Sequence, residues 1–101
     1  MRGQVVKRLK RTIVKRSVVV SGRQTSVTVE DSFWEGLTEI ANERRISVPA
    51  LVTIINAERN HSNLSSAIRL FVLRHYQDQA ERALVALDQA KERQTTEAPP
   101  D

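Results

Sequence analysis

A short stretch of alternating polar and apolar side chains, residues 24–29, predicts a β-strand. One face carries Thr25, Val27 and Val29, and the opposite face carries Gln24, Ser26 and Thr28. This is the two-residue period of a half-buried strand. A lone strand leaves backbone N–H and C=O groups without partners, so it needs a second strand beside it. We expect that second strand to come from a second copy of the chain, paired antiparallel.

The polar face of this strand is a candidate for contact with DNA bases. Antiparallel pairing of two copies would turn the polar side chains of both to solvent as one surface, and a two-stranded ribbon fits the DNA major groove. Gln can both donate to and accept from adenine, while Ser and Thr bond to either type of base edge. We therefore predict base contacts by Gln24, Ser26 and Thr28. The alternative is an ordinary solvated polar face.

Three stretches of helical periodicity follow the strand, so the sequence predicts a mainly α chain with one β-strand. The first, about residues 31–45, begins at Asp31 and Ser32, which are good N-cap residues. The second is short, about residues 48–58. The third, about residues 63–76, has an apolar stripe broad enough for burial between two subunits. The expected dimer core is Val27, Val29, Phe33, Leu37, Ile68, Phe71 and Val72.

An intramolecular hairpin is the main structural alternative to pairing between copies. Residues 17–20 have the sequence SVVV and precede Ser21 and Gly22, which favour a turn into the Gln24 strand. Such a hairpin would satisfy one edge of that strand within the chain and weaken the case for a dimer. Because a strand has two edges, the other edge would remain for a twin.

Beyond residue 76 a weaker apolar stripe predicts a helical extension over residues 77–93. We expect the extension to pack on its dimer mate, and docking of another protein is the alternative. The remaining residues, 94–101, have no apolar period, so we expect a disordered tail.

Positive charge is concentrated at the beginning of the chain. The first 29 residues hold eight basic and no acidic residues, whereas the remainder holds eight basic and twelve acidic ones. Because the basic end adjoins the strand, Lys15, Arg16 and Arg23 are predicted to contact DNA phosphates. Residues 1–16 are predicted to form a flexible basic arm. A basic amphipathic segment that lies on a membrane surface or acts as a targeting peptide is the alternative for this arm.

Composition argues against several classes of protein. A chain of 101 residues without cysteine is one small domain with no disulfide, and its apolar runs are too short to cross a membrane. We expect a soluble cytoplasmic protein. Only two histidines, His61 and His75, are available, and no phosphate loop, nucleophile elbow or metal-ligand spacing occurs. We therefore predict no enzyme activity, no cofactor and no metal.

Two segments carry a resemblance to a known family. The sequence GRQTSVTVEDSFW at residues 22–34, followed by Leu37, Ile40 and Ala41, and the sequence NLSSAIRLFVL at residues 63–73 resemble the small bacterial ribbon-helix-helix domain proteins. More distantly, they resemble repressors of the Arc/MetJ/CopG type. The resemblance covers about residues 17–76. It implies a ribbon-helix-helix homodimer with an intermolecular antiparallel ribbon, which binds double-stranded DNA and regulates transcription, most simply as a repressor.

The same resemblance bears on the helices. The family's second helix corresponds to the segment that begins near Asn63, so the short helix within residues 47–59 looks like an insertion before the long C-terminal helix. The resemblance favours Ser62, Asn63 and Ser65 over Ser47 as the helix start that contacts a phosphate. An antitoxin-like or other protein-binding module, acting through residues 77–93, is the alternative function.

Overall fold

The computed structural model describes residues 12–59 and 63–96, with side chains through residue 94. In chain order the elements are strands β1 (Ile13–Val20) and β2 (Arg23–Glu30) and helices α1 (Asp31–Arg44), α2 (Val48–Glu58) and α3 (Leu64–Thr96). The strands form an antiparallel two-stranded sheet, and α1, α2 and α3 all contact it. Predictions on Ser62, on His61 and on residues 1–11 and 97–101 lie outside the described residues.

The hairpin depends on a two-residue turn. Ser21 and Gly22 both have positive φ, 52° and 82°, as a type I′ turn requires. This turn sets Val20 opposite Arg23 and, at the far end, Ile13 opposite Glu30. Strand β1 of the same chain therefore pairs with one edge of β2, as the hairpin alternative predicts, and pairing of β2 with a second copy stays a prediction. Strand β1 also includes residues 13–16, which the sequence assigns to the flexible arm.

Alternate side chains of the hairpin enter the hydrophobic core. Val18 and Val20 of β1 and Val27 and Val29 of β2 are buried on the inner face. The helices complete the core with their own buried side chains, which are Leu37, Ile40, Ala41, Leu51, Val52, Ile55, Leu64, Ile68 and Val72. The residues predicted for a dimer core belong to this core of one chain, with Phe33 and Phe71 partly buried against it. Val27, Val29, Leu37, Ile68 and Val72 are thus buried within one chain, and their place in a dimer core stays a prediction.

Helix α1 follows β2 without a loop. The helix begins at Asp31, within the range Glu30 to Ser32 predicted from the sequence, and its N-cap residue is Glu30, which makes no side-chain cap. The backbone N–H of Asp31 instead donates to the carbonyl of Thr12, 2.8 Å away. At the other end, Arg45 adopts the left-handed conformation, with φ of 59°. An arginine thus takes the position that glycine usually occupies after a helix.

Helix α2 packs beneath β1. The Ser47 hydroxyl accepts a hydrogen bond from the N–H of Ala50 at 3.1 Å and so caps the helix. Pro49 is tolerated in this first turn, where a missing N–H removes no intrahelical bond. Near the hairpin turn, the Thr53 hydroxyl accepts from the N–H of Ser21 at 3.4 Å. The short helix therefore supports the end of the hairpin that bears the turn.

Helix α3 is continuous from Leu64 to Thr96, so the segments predicted at residues 63–76 and 77–93 are one helix. It also continues past residue 94, where a disordered tail was expected. At about 1.5 Å per residue it is roughly 50 Å long. This length accounts for most of the 69 Å long axis of the molecule. From residue 77 onward, every described side chain is exposed.

Helices α1 and α3 approach closely at Gly36. A Cβ atom at this position would lie 2.8 Å from the Cγ1 atom of Val72, so the site has no room for a side chain without movement. One turn further along, the Tyr76 hydroxyl donates to a carboxylate oxygen of Glu39 at 2.7 Å. Burial and this hydrogen bond raise the pKa of Tyr76 to about 12. The first turns of α3 are thereby fixed against α1.

Two side chains of α3 hold the end of β2. The Ser65 hydroxyl accepts from the N–H of Thr28 at 3.0 Å. Arg69 donates from Nε to Glu30 at 2.7 Å and from Nη2 to the carbonyl of Thr28 at 3.4 Å. The hydrogen bond from Arg69 holds the pKa of Glu30 below its usual value. A twin strand would have to displace these contacts to pair along the whole outer edge of β2.

Replacing Val27 by Asp is expected to unfold the domain. Val27 is fully buried, and a buried charge without a partner costs about 3–5 kcal/mol, a large part of the stability of a small domain. The matched control is Ser26→Asp, which puts the same charge on the exposed face of the same strand. Thermal melting followed by circular dichroism would measure the stability of both variants. If the Val27→Asp protein has the melting temperature of the wild type, the faces of β2 are wrongly assigned.

The Glu30–Arg69 ion pair predicts a pH-dependent contribution to stability. Because the pKa of Glu30 is lowered on folding from a usual value of 4.5, the pair stabilises the folded state above that pH. This contribution is lost as pH falls through the folded pKa. Urea unfolding of wild type and Glu30→Gln from about pH 7 to about pH 3 should show a stability gap that closes below pH about 4.5. Glu58→Gln is the control, and a gap unchanged at acid pH would contradict the role of the pair.

Candidate nucleic-acid interface

The outer face of the hairpin carries three exposed cross-strand pairs. They are Lys15 opposite Thr28, Ser17 opposite Ser26, and Val19 opposite Gln24. Since side chains alternate between faces, the same register that buries the valines turns these six outward. Gln24, Ser26 and Thr28 thus lie together on one surface, and β1 adds three residues beside them.

The chemistry of this surface suits the edges of DNA bases. The Gln24 amide can form a bidentate pair with adenine, and the hydroxyls of Ser17, Ser26 and Thr28 can bond to donors or acceptors. Val19 is 52% exposed, and an apolar side chain in this position can contact a thymine methyl group. These six residues form a surface strip that offers both polar and apolar contacts.

The dimensions of the strip suit the major groove. The two strands lie about 4.8 Å apart, and a B-DNA major groove about 12 Å wide admits a two-stranded ribbon. Here both strands belong to one chain. A single copy therefore supplies a two-stranded ribbon, as the hairpin alternative from the sequence predicts.

Ser17 and Val19 were missed as possible base contacts by reasoning from the sequence. The signal that finds them is the turn at Ser21 and Gly22, because a two-residue turn fixes which residues of β1 face those of β2. Lys15 was predicted only as a phosphate contact. Its position opposite Thr28 places it on the outer face as well.

The predicted phosphate contacts of the hairpin differ in their surroundings. Lys15 and Arg23 are exposed, and neither has a carboxylate partner within residues 12–59 and 63–94. Arg16 lies on the inner side, where its Nη2 donates to Asp31 at 2.8 Å and its guanidinium stacks 4.6 Å from the centre of the Trp34 ring. Arg16 therefore has partners within the fold, which makes it less available than Lys15 and Arg23 for the phosphate contact that stays a prediction.

The start of α3 lies beside the open end of the hairpin. Asn63 is exposed, and its side-chain oxygen accepts from the N–H of Ser66 at 2.8 Å, so Asn63 caps the helix. The Ser65 hydroxyl accepts a hydrogen bond from the N–H of Thr28, so Ser65 helps to position the ribbon. Of the two described residues that were predicted to meet a phosphate at this helix start, Asn63 is therefore the better placed.

The acids nearest the ribbon are neutralised by arginines. Asp31 pairs with Arg16 at 2.8 Å, and Glu30 pairs with Arg69 at 2.7 Å. Both carboxylates lie where β2 passes into α1 and would otherwise repel a polyanion. With these acids paired, the exposed cations Lys15 and Arg23 set the sign of charge at the hairpin.

A groove of about 540 Å³ lies between α1, α2 and α3, away from the hairpin. Its lining includes Arg44, Phe71, Arg74 and His75, and no Ser, Thr or Cys. Within the described residues no three His, Asp or Glu side chains gather as metal ligands. In the same residues, none of the helices combines the length and apolarity that a membrane crossing requires.

The comparisons with known proteins bear on the domain as a whole. The model of the ribbon-helix-helix domain family matches residues 13–76, and among curated proteins none matches. An uncharacterized protein from Bordetella pertussis Tohama I has a similar structure, with a TM-score of 0.63 and 28% sequence identity over 75% of this chain. The chain spans 65% of the length of that protein.

The matched residues include both β1 and α2, so the helix that looked like an insertion lies inside the family's domain. The match covers more than half of the sequence, and the hairpin followed by helices is consistent with this fold. The resemblance inferred from residues 22–34 and 63–73 is confirmed: the chain belongs to the ribbon-helix-helix domain family.

Proposed function

We propose that this protein is a DNA-binding transcription regulator that inserts the outer face of its hairpin into the major groove. The observation that carries the proposal is the row of three exposed cross-strand pairs from Lys15–Thr28 to Val19–Gln24. Family membership supports it, since ribbon-helix-helix domains are generally DNA-binding regulators. Gln24, Ser26 and Thr28 contact bases, joined by Ser17 and Val19.

Phosphate contacts provide the part of the affinity that does not depend on sequence. Lys15 and Arg23 flank the base-reading residues, and Asn63 presents the start of α3 beside them. Five further cations precede the hairpin, at Arg2, Lys7, Arg8, Lys10 and Arg11. Each phosphate neutralised by a cation releases counterions, so affinity falls steeply with salt.

The active form is a homodimer that acts as a repressor. Two copies present two hairpins, which matches a DNA site with two related halves. Occupying such a site is enough to block transcription, so repression requires no catalytic step. Each copy brings a hairpin of two strands to this homodimer.

A second candidate function is protein binding through the distal part of α3, as in an antitoxin. The observation that favours it is the exposure of Leu84, Val85 and Leu87 on a helix that projects from the core. The neighbouring genes distinguish the two functions, since an antitoxin gene lies next to the gene of its toxin. A gene without such a neighbour favours the regulator.

Removing the polar groups of Gln24 and Thr28 should weaken sequence-specific DNA binding but not folding. The double variant Gln24→Ala and Thr28→Ala is expected to lose about 1–3 kcal/mol of discrimination for each base contact removed. DNA fragments selected from a random genomic pool by the wild type would serve as the ligand in fluorescence anisotropy. Gln89→Ala, on the distal part of α3, is the control. Unchanged affinity for the selected fragments would rule out base contacts by this face.

Replacing the cations of the hairpin should change the salt dependence of DNA binding and not its sequence preference. Lys15→Met together with Arg23→Met is expected to weaken binding to all DNA sequences alike and to reduce the slope of log K against log salt by about 2. Arg82→Met, which removes a positive charge from α3, should leave the slope unchanged. An equal slope in all three proteins would place the phosphate contacts elsewhere.

A further inference from the structure

The groove between α1, α2 and α3 has the size of a small-molecule site. Its volume of about 540 Å³ lies within the range of roughly 300–1,000 Å³ that is usual for ligand pockets. The lining comes from the ends of α1 and α2 and from α3, and it includes no residue of β1 or β2 among the described residues. An occupant of this groove would therefore leave the outer face of the hairpin open.

Part of the lining is apolar and incompletely covered. Leu70 is 47% exposed, and Phe71 is only partly buried against the core. Ala67 and Phe71 are four residues apart and Arg74 follows three residues later, so the three lie on one face of α3. This face offers an aromatic ring and aliphatic carbon to a ligand, with a positive charge one turn further along the helix.

Three guanidinium groups line the same groove, one from each helix or its end. They belong to Arg44 at the end of α1, Arg59 directly after α2, and Arg74 of α3. Arg44 lies over the Phe71 ring, 5.2 Å from its centre. Within residues 12–59 and 63–94, neither Arg44 nor Arg74 forms an ion pair with a carboxylate. Their N–H donors therefore keep the capacity to bind a carboxylate in the paired geometry that guanidinium favours.

Helix dipoles account for only two of these arginines. Arg44 and Arg59 lie at the C-terminal ends of α1 and α2, where a positive charge stabilises a helix. Arg74 lies in the interior of α3, far from the end of that helix at Thr96, so the dipole of α3 gives it no such role. Its position beside the other two is a property of the groove.

The acidic residues of the lining limit the charge of an occupant. Glu58 and Asp78 also line the groove, so three arginines face two carboxylates and one positive charge is in excess. His75 has a carboxylate of its own, since its Nε2 lies 3.4 Å from Glu43. One negative charge balances the excess, whereas a dianion would be repelled by the carboxylates. The lining therefore favours a monoanion.

We infer that this groove binds a small organic acid as its monoanion. The carboxylate of the ligand contacts Arg44 and Arg74, and an apolar body lies against Phe71 and covers Leu70. The apolar body supplies burial and the carboxylate fixes its orientation, which is the usual division of labour in a ligand pocket. This site goes beyond the proposed function, because it involves neither the hairpin nor DNA.

An NMR titration of the ¹⁵N-labelled protein with naphthoate tests the site. Naphthoate combines one carboxylate with a flat apolar body, and it should bind with a dissociation constant below about 1 mM and shift the amides of Phe71 and Arg74. Naphthamide keeps the body without the charge, and acetate keeps the charge without the body, so each should bind at least about 10-fold more weakly. Equal binding of naphthamide, or naphthoate shifts spread over the whole surface, would overturn the inference.

Paired variants test the residues that form the site. Arg74→Gln should weaken naphthoate binding at least about 10-fold because it removes a charged donor, and Arg82→Gln on the distal part of α3 should leave it unchanged. Leu70→Ala should weaken binding several-fold, whereas Leu87→Ala, which also replaces an exposed leucine, should not. An Arg74→Gln protein with the affinity of Arg82→Gln would place the site elsewhere.

The sign of the ligand charge is tested by removing an acid from the lining. Asp78→Asn should strengthen naphthoate binding, because one repelling carboxylate is lost, and Asp88→Asn should leave it unchanged. Weaker binding by Asp78→Asn would contradict an anion site. The titration is repeated at a tenfold higher protein concentration. If naphthoate binding is lost there, a second copy of the chain covers the groove and the inference is overturned.

Discussion

The register of the hairpin is the constraint on which the rest of the structure depends. Ser21 and Gly22 both take positive φ, and the resulting turn leaves one pairing of the two strands. A slip of one residue would exchange the faces, exposing Val27 and Val29 and burying Gln24 and Ser26. The hydrophobic core beneath and the polar strip above are therefore two results of one turn. Any function of the outer face of the hairpin therefore depends on this register.

The helices hold the ribbon at both ends. Thr53 of α2 supports the turn, and Ser65 and Arg69 of α3 hold the strand end at Thr28 and Glu30. Arg16 adds a contact to α1 through Asp31. These contacts are polar and specific in direction, so they orient the ribbon on the core more sharply than apolar packing alone would. A ribbon fixed in this way presents its outer face without further ordering, which reduces the entropic cost of binding.

Much of the architecture follows from the sequence, and the exceptions have physical causes. The alternation at residues 24–29 correctly divides β2 into buried valines and exposed polar residues. The sequence does not decide which strand pairs with β2, because the SVVV run at residues 17–20 has no alternation of its own. Only the register shows that Val19 is exposed between buried valines. Arg16 could not be placed without that register either, since a basic residue next to a basic arm looks like a phosphate contact.

The expectation of a dimer stays a prediction, and the edges of β2 on which it rests are partly occupied within one chain. A lone strand would have needed a twin, but β1 satisfies one edge of β2, and side chains of α3 occupy part of the other. Within residues 12–59 and 63–94, the leucines of α3 at 84 and 87 are exposed. The sequence indicated the stripe, but only the position of the core shows that Leu70 and Leu73 belong to the outward face.

The most direct measurement for the central claim is an NMR titration of the ¹⁵N-labelled protein with a DNA duplex selected by the wild type. The account predicts that the side-chain amide of Gln24 and the backbone amides of Ser17, Val19 and Ser26 show the largest shifts, because these groups lie on the face that enters the groove. Shifts confined to α2 and α3, with the amide of Gln24 unchanged at saturation, would contradict it.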